Sequence, residues 1–276
     1  MTKILKWLLP LVAVLIAAAA CGPKAEAPKV LVLYYSQSAN TKTVAEEFAS
    51  RLGADIEEIL PVEPYGGTYQ EVIERSRRER ELEILPKVRP ISSDISAYDI
   101  IFLGYPVWFG TYALPVASLL CDIDLSGKKV VPFCTFGSGG LASSSRDLSA
   151  KFPQAEILPG YGVRAARIAA APQEIDCFLK AGGFIEGEYT PLEDFPAPHA
   201  VSEDEAAVFN AAVGNYPMIH ARATEASART VPGGTEYLFT AVDLPREDMP
   251  ERPLSEFQVY VTALEGQAPE FTQVVR

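Results

Sequence analysis

Histidine is nearly absent from this chain, and its cysteines form no metal-binding pattern. His199 and His220 are the only two histidines, far apart and without a Cys or carboxylate cluster at ligand spacing, so no dedicated metal site is expected. The four cysteines include no CxxC pair. Cys121, Cys134 and Cys177 lie in apolar contexts and read as buried thiols, with a disulfide between two of them as the alternative in an exported protein. Positive charge is also in deficit. Lys and Arg total 24 against 36 Asp and Glu, a net charge of −12. That balance excludes a nucleic-acid partner, because neutralising phosphates takes clustered cations. It suits either docking onto basic proteins or simple solubility. No GxGxxG opens a helix, so the dinucleotide fingerprint is missing too. What the chain has in quantity is apolar: 48% of 276 residues, enough for a large core and a length that suits two domains.

The first twenty residues read as a signal peptide outside the fold. Lys3 and Lys6 precede a continuous apolar run, Trp7 to Ala20, too short for a comfortable membrane span. Cys21 follows directly, then Gly22. This junction resembles the lipobox of bacterial lipoproteins, in which the Cys becomes the lipid-bearing first residue; the usual Leu three positions earlier is Ala18 here. The resemblance implies export to the cell envelope and a lipid anchor on Cys21, at the periplasmic or outer-membrane face. Cleavage at an A-x-A site to give a soluble secreted protein is the alternative. Residues 21–28, "CGPKAEAP", make the tether.

From 29 to 183, strand-like and helix-like stretches alternate. Val30–Tyr35 is apolar at every position, as a strand buried on both faces must be. Val44, Ala45, Phe48, Ala49 and Leu52 recur at helical spacing, which predicts a helix over Thr41–Leu52, stopped by Gly53. Further strands are expected at Ala54–Leu60, Asp99–Gly104, Lys129–Thr135 and Glu156–Leu158. Helices are expected within "GTYALPVASLLCDI" (Gly110–Ile123, with Leu114, Ala117, Ser118 and Cys121 on one side), Ser144–Lys151 and Pro172–Ala181. The charge run Tyr69–Leu85 reads as a solvated helix. Five strands alternating with helices predict a doubly wound α/β domain, a parallel sheet with helices on both faces. Ligands of such sheets bind beyond the carboxyl ends of the strands. Three polar or Gly-rich loops fall there: Ser36–Thr41, Tyr105–Thr111 and Thr135–Gly140.

Residues 184–201, with Pro191, Pro196 and Pro198, read as a linker. Ser202 is a good N-cap for a helix bearing Ala206, Phe209, Ala212 and Val213 on one face. Three strand-like stretches follow, "GTEYLFTAVDL", "EFQVYVTAL" and "EFTQVV". Residues 202–276 are therefore expected to form a small α+β domain, a helix laid on an antiparallel sheet.

A strand feeding a helix leaves amide N–H groups unpaired at the positive end of the helix dipole. With the hydroxyls of Ser36, Ser38 and Thr41 and the amide of Asn40 nearby, the first loop could cradle a phosphate, or one of these residues could merely cap the helix. The second loop adds Trp108 and Phe109, which either pack down or offer a stacking face. A phosphate cradle, an aromatic wall and a Gly-rich third loop suit a flat ligand with one phosphate.

The segments "YYSQSANTKTVA", "GYPVWFGTYALPV" and "SGKKVVPFCTFGSGG", in this order, resemble the flavodoxins, as does "YQEVIERSRRERE" followed by "VRP". The likeness spans about residues 29–183. It implies a flavodoxin-like fold binding flavin mononucleotide (FMN), with Ser36, Ser38, Ala39, Asn40 and Thr41 around the 5′-phosphate. Pro106, Val107, Trp108, Phe109 and Gly110 would flank the isoalloxazine, and Thr135, Phe136, Gly137, Ser138 and Gly139 its other edge. The family has Gly where this chain has Ala39, a position that benefits from φ freedom. No catalytic acid or base is implied; such proteins tune a flavin that exchanges electrons with a redox partner protein or a small acceptor. The tail, with "VPGGTEY" (Val231 to Tyr237) between two strands, is similar to a cystatin-type sheet. Two other activities follow from the same residues: an FMN-dependent quinone-type reductase, or a binding or adhesion lipoprotein that has lost flavin.

Overall fold

The computed structural model describes residues 27–214, 216–245 and 254–276. The signal-peptide and lipidation expectations, residues 1–20 and Cys21, lie outside the described residues, as does most of the 21–28 tether. No described helix is long and apolar enough to cross a membrane.

The first unit is an α/β sandwich built around β1 (Val30–Tyr34). β1 pairs in parallel with β2 (Asp55–Glu58) on one side and β3 (Ile100–Trp108) on the other. Beyond β3 lies β5 (Lys129–Phe136), then β6 (Glu156–Ile157) and β7 (Tyr161–Arg164), which pair in parallel with successive parts of β5. A two-residue β4 (Thr111–Tyr112) folds back antiparallel on the end of β3. The strand order, β2-β1-β3-β5-β6, is that of a doubly wound sheet.

Side chains alternate between the faces of β1, and each face meets its own helices. Val32 and Tyr34 join Phe102, Val131 and Phe133 under α1 (Asn40–Leu52) and α5 (Ala171–Ala181), which contribute Val44, Phe48, Ile175 and Leu179. Leu31, Leu33 and Tyr35 join Ile101, Leu103 and Tyr105 on the opposite face. That face is covered by α2 (Tyr69–Glu81), α3 (Leu114–Leu119) and α4 (Leu141–Lys151) through Val72, Val116, Leu119 and Leu148. α1 ends on Gly53, whose φ of 59° closes the helix.

The second unit is an antiparallel sheet in the order β12-β11-β10-β9-β8. Its strands are β8 (His199–Ala200), β9 (Ala221–Val231), β10 (Gly234–Asp243), β11 (Glu256–Leu264) and β12 (Glu270–Val275). α6 (Glu203–Val213) starts on the Ser202–Glu205 capping box and lays Phe209 and Val213 against Ala226, Phe239, Val259 and Phe271. The other face of the sheet is covered by the proline-rich segment read as a linker. Ser227 Oγ donates to Pro196 O at 2.7 Å, the Arg229 guanidinium lies 4.2 Å over the Phe195 ring, and Phe195 meets Tyr260 edge-on.

Some sequence expectations are corrected. Cys134 is buried, but Cys121 and Cys177 are exposed, and all three are free thiols. α3 ends at Leu119, short of Cys121, and Cys177 lies on the outer side of α5 between buried Ile175 and Leu179. The third and fourth strands run on to Trp108 and Phe136, so residues read as loop are strand ends. β9 was not expected, because "ARATEASARTV" alternates small and polar residues without bulky apolar ones. His199 and Ala200 belong to the sheet edge rather than to a linker.

Phe48 is fully buried, with its ring centroid 5.2 Å from Phe102 and 5.0 Å from Phe133. Phe48→Ala should therefore cost about 3–5 kcal/mol of unfolding free energy in urea titration. A loss below about 1 kcal/mol would show that the α1 face closes over the gap.

Candidate functional site

Parallel pairing brings the carboxyl ends of β1, β3 and β5 side by side, and the chain leaves β1 towards opposite neighbours on its two sides. A crevice opens at such a switch point. The three loops expected to form a site meet there.

The first loop, 36–39, leads directly into α1. Ala39 precedes the helix in the left-handed region at φ 65° and, as the N-cap residue, offers no side-chain cap of its own. Ser36 Oγ accepts from the Lys42 N–H at 3.2 Å, and Ala39 O from the Thr43 N–H at 2.9 Å. Among the described residues, the amides from Ser36 to Thr41 meet no protein acceptor. That is a run of successive donors at the positive end of a helix, the arrangement that takes an anion. Ser38 is exposed, Ser36 and Asn40 are half-buried, and Thr41 is buried. The Thr41 and Thr135 hydroxyls share a buried hydrogen bond of 2.8 Å, which ties the first loop to the end of β5. Gln37 holds the loop from its other side: its Oε1 accepts from Tyr35 Oη at 2.6 Å and its Nε2 donates to Tyr65 O at 2.7 Å.

The second loop is a hairpin. Trp108 pairs with Thr111, and the turn residues Phe109 and Gly110 have φ of 51° and 84°. Both turn residues are left-handed, as in a type I′ turn, in which Asn-Gly is the favoured pair. A bulky ring in that region costs roughly 1–2 kcal/mol. Pro106 and Val107, half-buried, precede this turn on the last stretch of β3. The two aromatics take different roles. Trp108 packs down, edge-on to Tyr35 and Tyr65 at 5.8 and 5.0 Å. Phe109 stands at the tip, 45% exposed, with the Arg80 guanidinium 5.7 Å over its ring and donating to its carbonyl at 3.3 Å. Behind Trp108, Tyr65 Oη donates to Glu79, and burial together with that carboxylate raises the phenol well above the usual range. Arg75 lies 4.0 Å over the Tyr65 ring and pairs with Glu79 at 2.9 Å.

In the third loop, Thr135 and Phe136 are the last residues of β5 and are buried; the Phe136 ring packs in the core beside Gly162. Gly137, exposed, and Ser138 and Gly139, half-buried, form the turn, and Gly140 starts α4 at φ 131°, against Val107. The C-terminal unit reaches this turn: the Val274 N–H donates to Ser138 O at 2.7 Å. Arg164 Nε donates to Gly137 O at 2.9 Å.

A family model described as flavodoxin matches residues 29–172, just over half of the 276 residues, and the chain belongs to that family. Among solved structures, a Bacteroides eggerthii protein assigned as a flavoprotein is 28% identical, covering 54% of this chain and 96% of its own, at a TM-score of 0.46. A Lactobacillus acidophilus flavoprotein in complex with FMN is 24% identical, covering 54% and 97%, also at 0.46. Oxidised flavodoxin 2 from Bacillus cereus is 19% identical, covering 55% and 99%, at 0.36. Curated proteins yield no match. The C-terminal sheet lies outside the family match.

FMN, the cofactor the family implies, fits the groups present. The free amides leading into α1 supply neutral donors for a phosphate, and the hairpin supplies an exposed ring for a flat heterocycle. Sequence reasoning found the loops but missed Gln37, Tyr65 and Arg80, which hold them. Arg80 could have been suspected, since it ends a helix whose charges read as merely solvated. The others gave no signal.

Ala39 carries an exposed methyl at φ 65°. Ala39→Gly should raise the unfolding free energy by about 0.5 kcal/mol, the relieved left-handed strain exceeding the added chain entropy. Destabilisation in urea titration would mean that the Ala methyl makes contacts worth more than the strain.

Proposed function

We propose that this protein is an exported, lipid-anchored flavodoxin-like electron carrier. The observation that carries the reading is the run of amides from Ser36 to Thr41 into the start of α1, which, among the described residues, meets no protein acceptor. A neutral cradle of this kind binds a phosphate by directed hydrogen bonds rather than by cations; nearby Lys42 sits 4.0 Å from Glu46. Ser36, Ser38, Asn40 and Thr41 surround the phosphate. Phe109 offers its ring to the isoalloxazine, while Trp108 backs the hairpin from below. Bound FMN supplies one- and two-electron chemistry, and the chain supplies binding, orientation and exclusion of water. The net charge of −12 favours a redox partner with a basic docking face. The signal-peptide layout before Cys21 supports export and the lipid anchor, and the C-terminal sheet serves as an interaction and stability module.

A quinone-type reductase is the second reading. A shallow cleft lined by Arg80, Phe109, Thr111, Tyr112 and Asp147 opens beside the hairpin tip and would admit a small planar acceptor. Oxidation of NAD(P)H by a quinone, catalysed by the FMN-loaded protein, would favour it over the carrier.

Purified mature protein should be yellow and release FMN on denaturation; a colourless protein that fails to take up added FMN sinks both readings. Thr41→Val, which removes the hydroxyl shared with Thr135, should weaken FMN binding by roughly tenfold or more in fluorescence titration. Affinity equal to the wild type would remove Thr41 from the phosphate cradle. For the anchor, metabolic lipid labelling should be lost in Cys21→Ala, and persistent labelling would place the lipid elsewhere.

A further inference from the structure

The third loop is held at the junction of the flavodoxin unit with the C-terminal sheet. Arg164, the last residue of β7, is 7% exposed, and its guanidinium bridges the two units. Nε donates to Gly137 O at 2.9 Å and Nη1 to Phe271 O at 2.9 Å, while its plane lies 3.5 Å over the Phe271 ring. Glu270 stands 3.7 Å from Arg164 and 3.1 Å from Arg167. One residue further along the loop, Ser138 O accepts from the Val274 N–H at 2.7 Å.

β12 is the edge of its sheet, with β11 on its inner side. An uncovered edge strand presents unpaired backbone groups; here the 137–139 turn lies along it. The approach is so close that a side chain at Gly139 is excluded. A Cβ on Gly139 would lie 2.0 Å from Val274 O, and one on Gly137 would lie 2.8 Å from Tyr216 Oη. Gly139 is thus required by the backbone of the C-terminal unit, whereas at Gly137 the Tyr216 side chain could swing aside.

The consequence for the site follows from peptide geometry. The C=O and N–H of one trans peptide point in opposite directions. With the Gly137 and Ser138 carbonyls engaged by Arg164 and Val274, the Ser138 and Gly139 N–H groups point away from those partners. Among the described residues, neither N–H has a protein acceptor.

We propose that Arg164 and the Val274 N–H are positioning groups for the flavin site, fixing the third loop so that its amides face the isoalloxazine edge and coupling FMN binding to docking of the C-terminal sheet. The proposal rests on FMN being the ligand. Coupling of this kind is reciprocal: docking tightens FMN, and FMN tightens docking by the same factor.

The test uses the mature full-length chain. Val274→Pro deletes the outward-facing donor on an edge strand, where proline is accommodated, and also trims a side chain buried in the second core, so its folding is checked first. Arg164→Lys keeps the charge and loses the two-pronged geometry. Both should bind FMN about tenfold to a hundredfold more weakly and, once saturated, show altered visible circular dichroism of the flavin. In the wild type, saturating FMN should slow hydrogen exchange at the Val274 amide. Wild-type affinity and spectrum in folded Val274→Pro overturn the proposal, even if Arg164→Lys fails to fold. So does exchange at Val274 that ignores FMN. A wild type that binds no FMN fails differently: it removes the ligand itself, and the proposed function falls before the variants are made.

Discussion

Parallel pairing of β1, β3 and β5 is the constraint on which the site depends. Once three adjacent strands run the same way, their exits share one edge, and whatever chemistry the exits carry is brought together without further instruction. That pairing is in turn secured by burial. β1 is apolar on both faces, so it is stable only as an inner strand with helices above and below. The hydroxyl pair of Thr41 and Thr135 then locks two of the exits to each other in a setting where an unpaired hydroxyl would be costly.

Strain and unmet hydrogen bonds collect at this same edge. Among the described non-glycine residues with positive φ are Ala39 and Phe109, one in each of the first two loops. Each sits where the backbone turns sharply to expose something: Ala39 the amides of the α1 start, Phe109 its own ring. The surrounding packing holds the strain in place. Trp108 wedged between Tyr35 and Tyr65 supports the hairpin, and Arg80 pins the turn carbonyl. A site held this way is organised before its ligand arrives, so little binding energy is lost to ordering loops.

The sequence disclosed what local pattern controls. A continuous apolar run identified β1, 3.6-residue spacing identified α1, and the Ser202 N-cap identified α6. It disclosed the three loops because small polar and glycine residues cluster there. It was silent where a role is set by long-range contact. β9 is built from small and polar residues because α6 lies over one face and the 193–196 segment over the other. Gln37 and Tyr65 look ordinary until the chain brings them within bonding distance across 28 residues of sequence. Arg164 gave no signal because an arginine at a strand end is usually solvated, and nothing local shows the ring of Phe271 beneath it.

The glycines of the third loop show how far local inference can go astray. Read alone, "TFGSGG" marks a loop that leaves room for a cofactor. In the structure, the space beside Gly137 and Gly139 is taken by Tyr216 and β12. Yet this does not remove the loop from the site, because a turn has two sides. Its carbonyls face Arg164 and the second sheet, and the amides that follow them face away. A buried arginine at the junction must satisfy its donors or destabilise the fold, and it does so on one carbonyl from each unit. The same guanidinium that completes the interface therefore also sets the loop, and the second sheet is better regarded as one wall of the site than as an appendage to it.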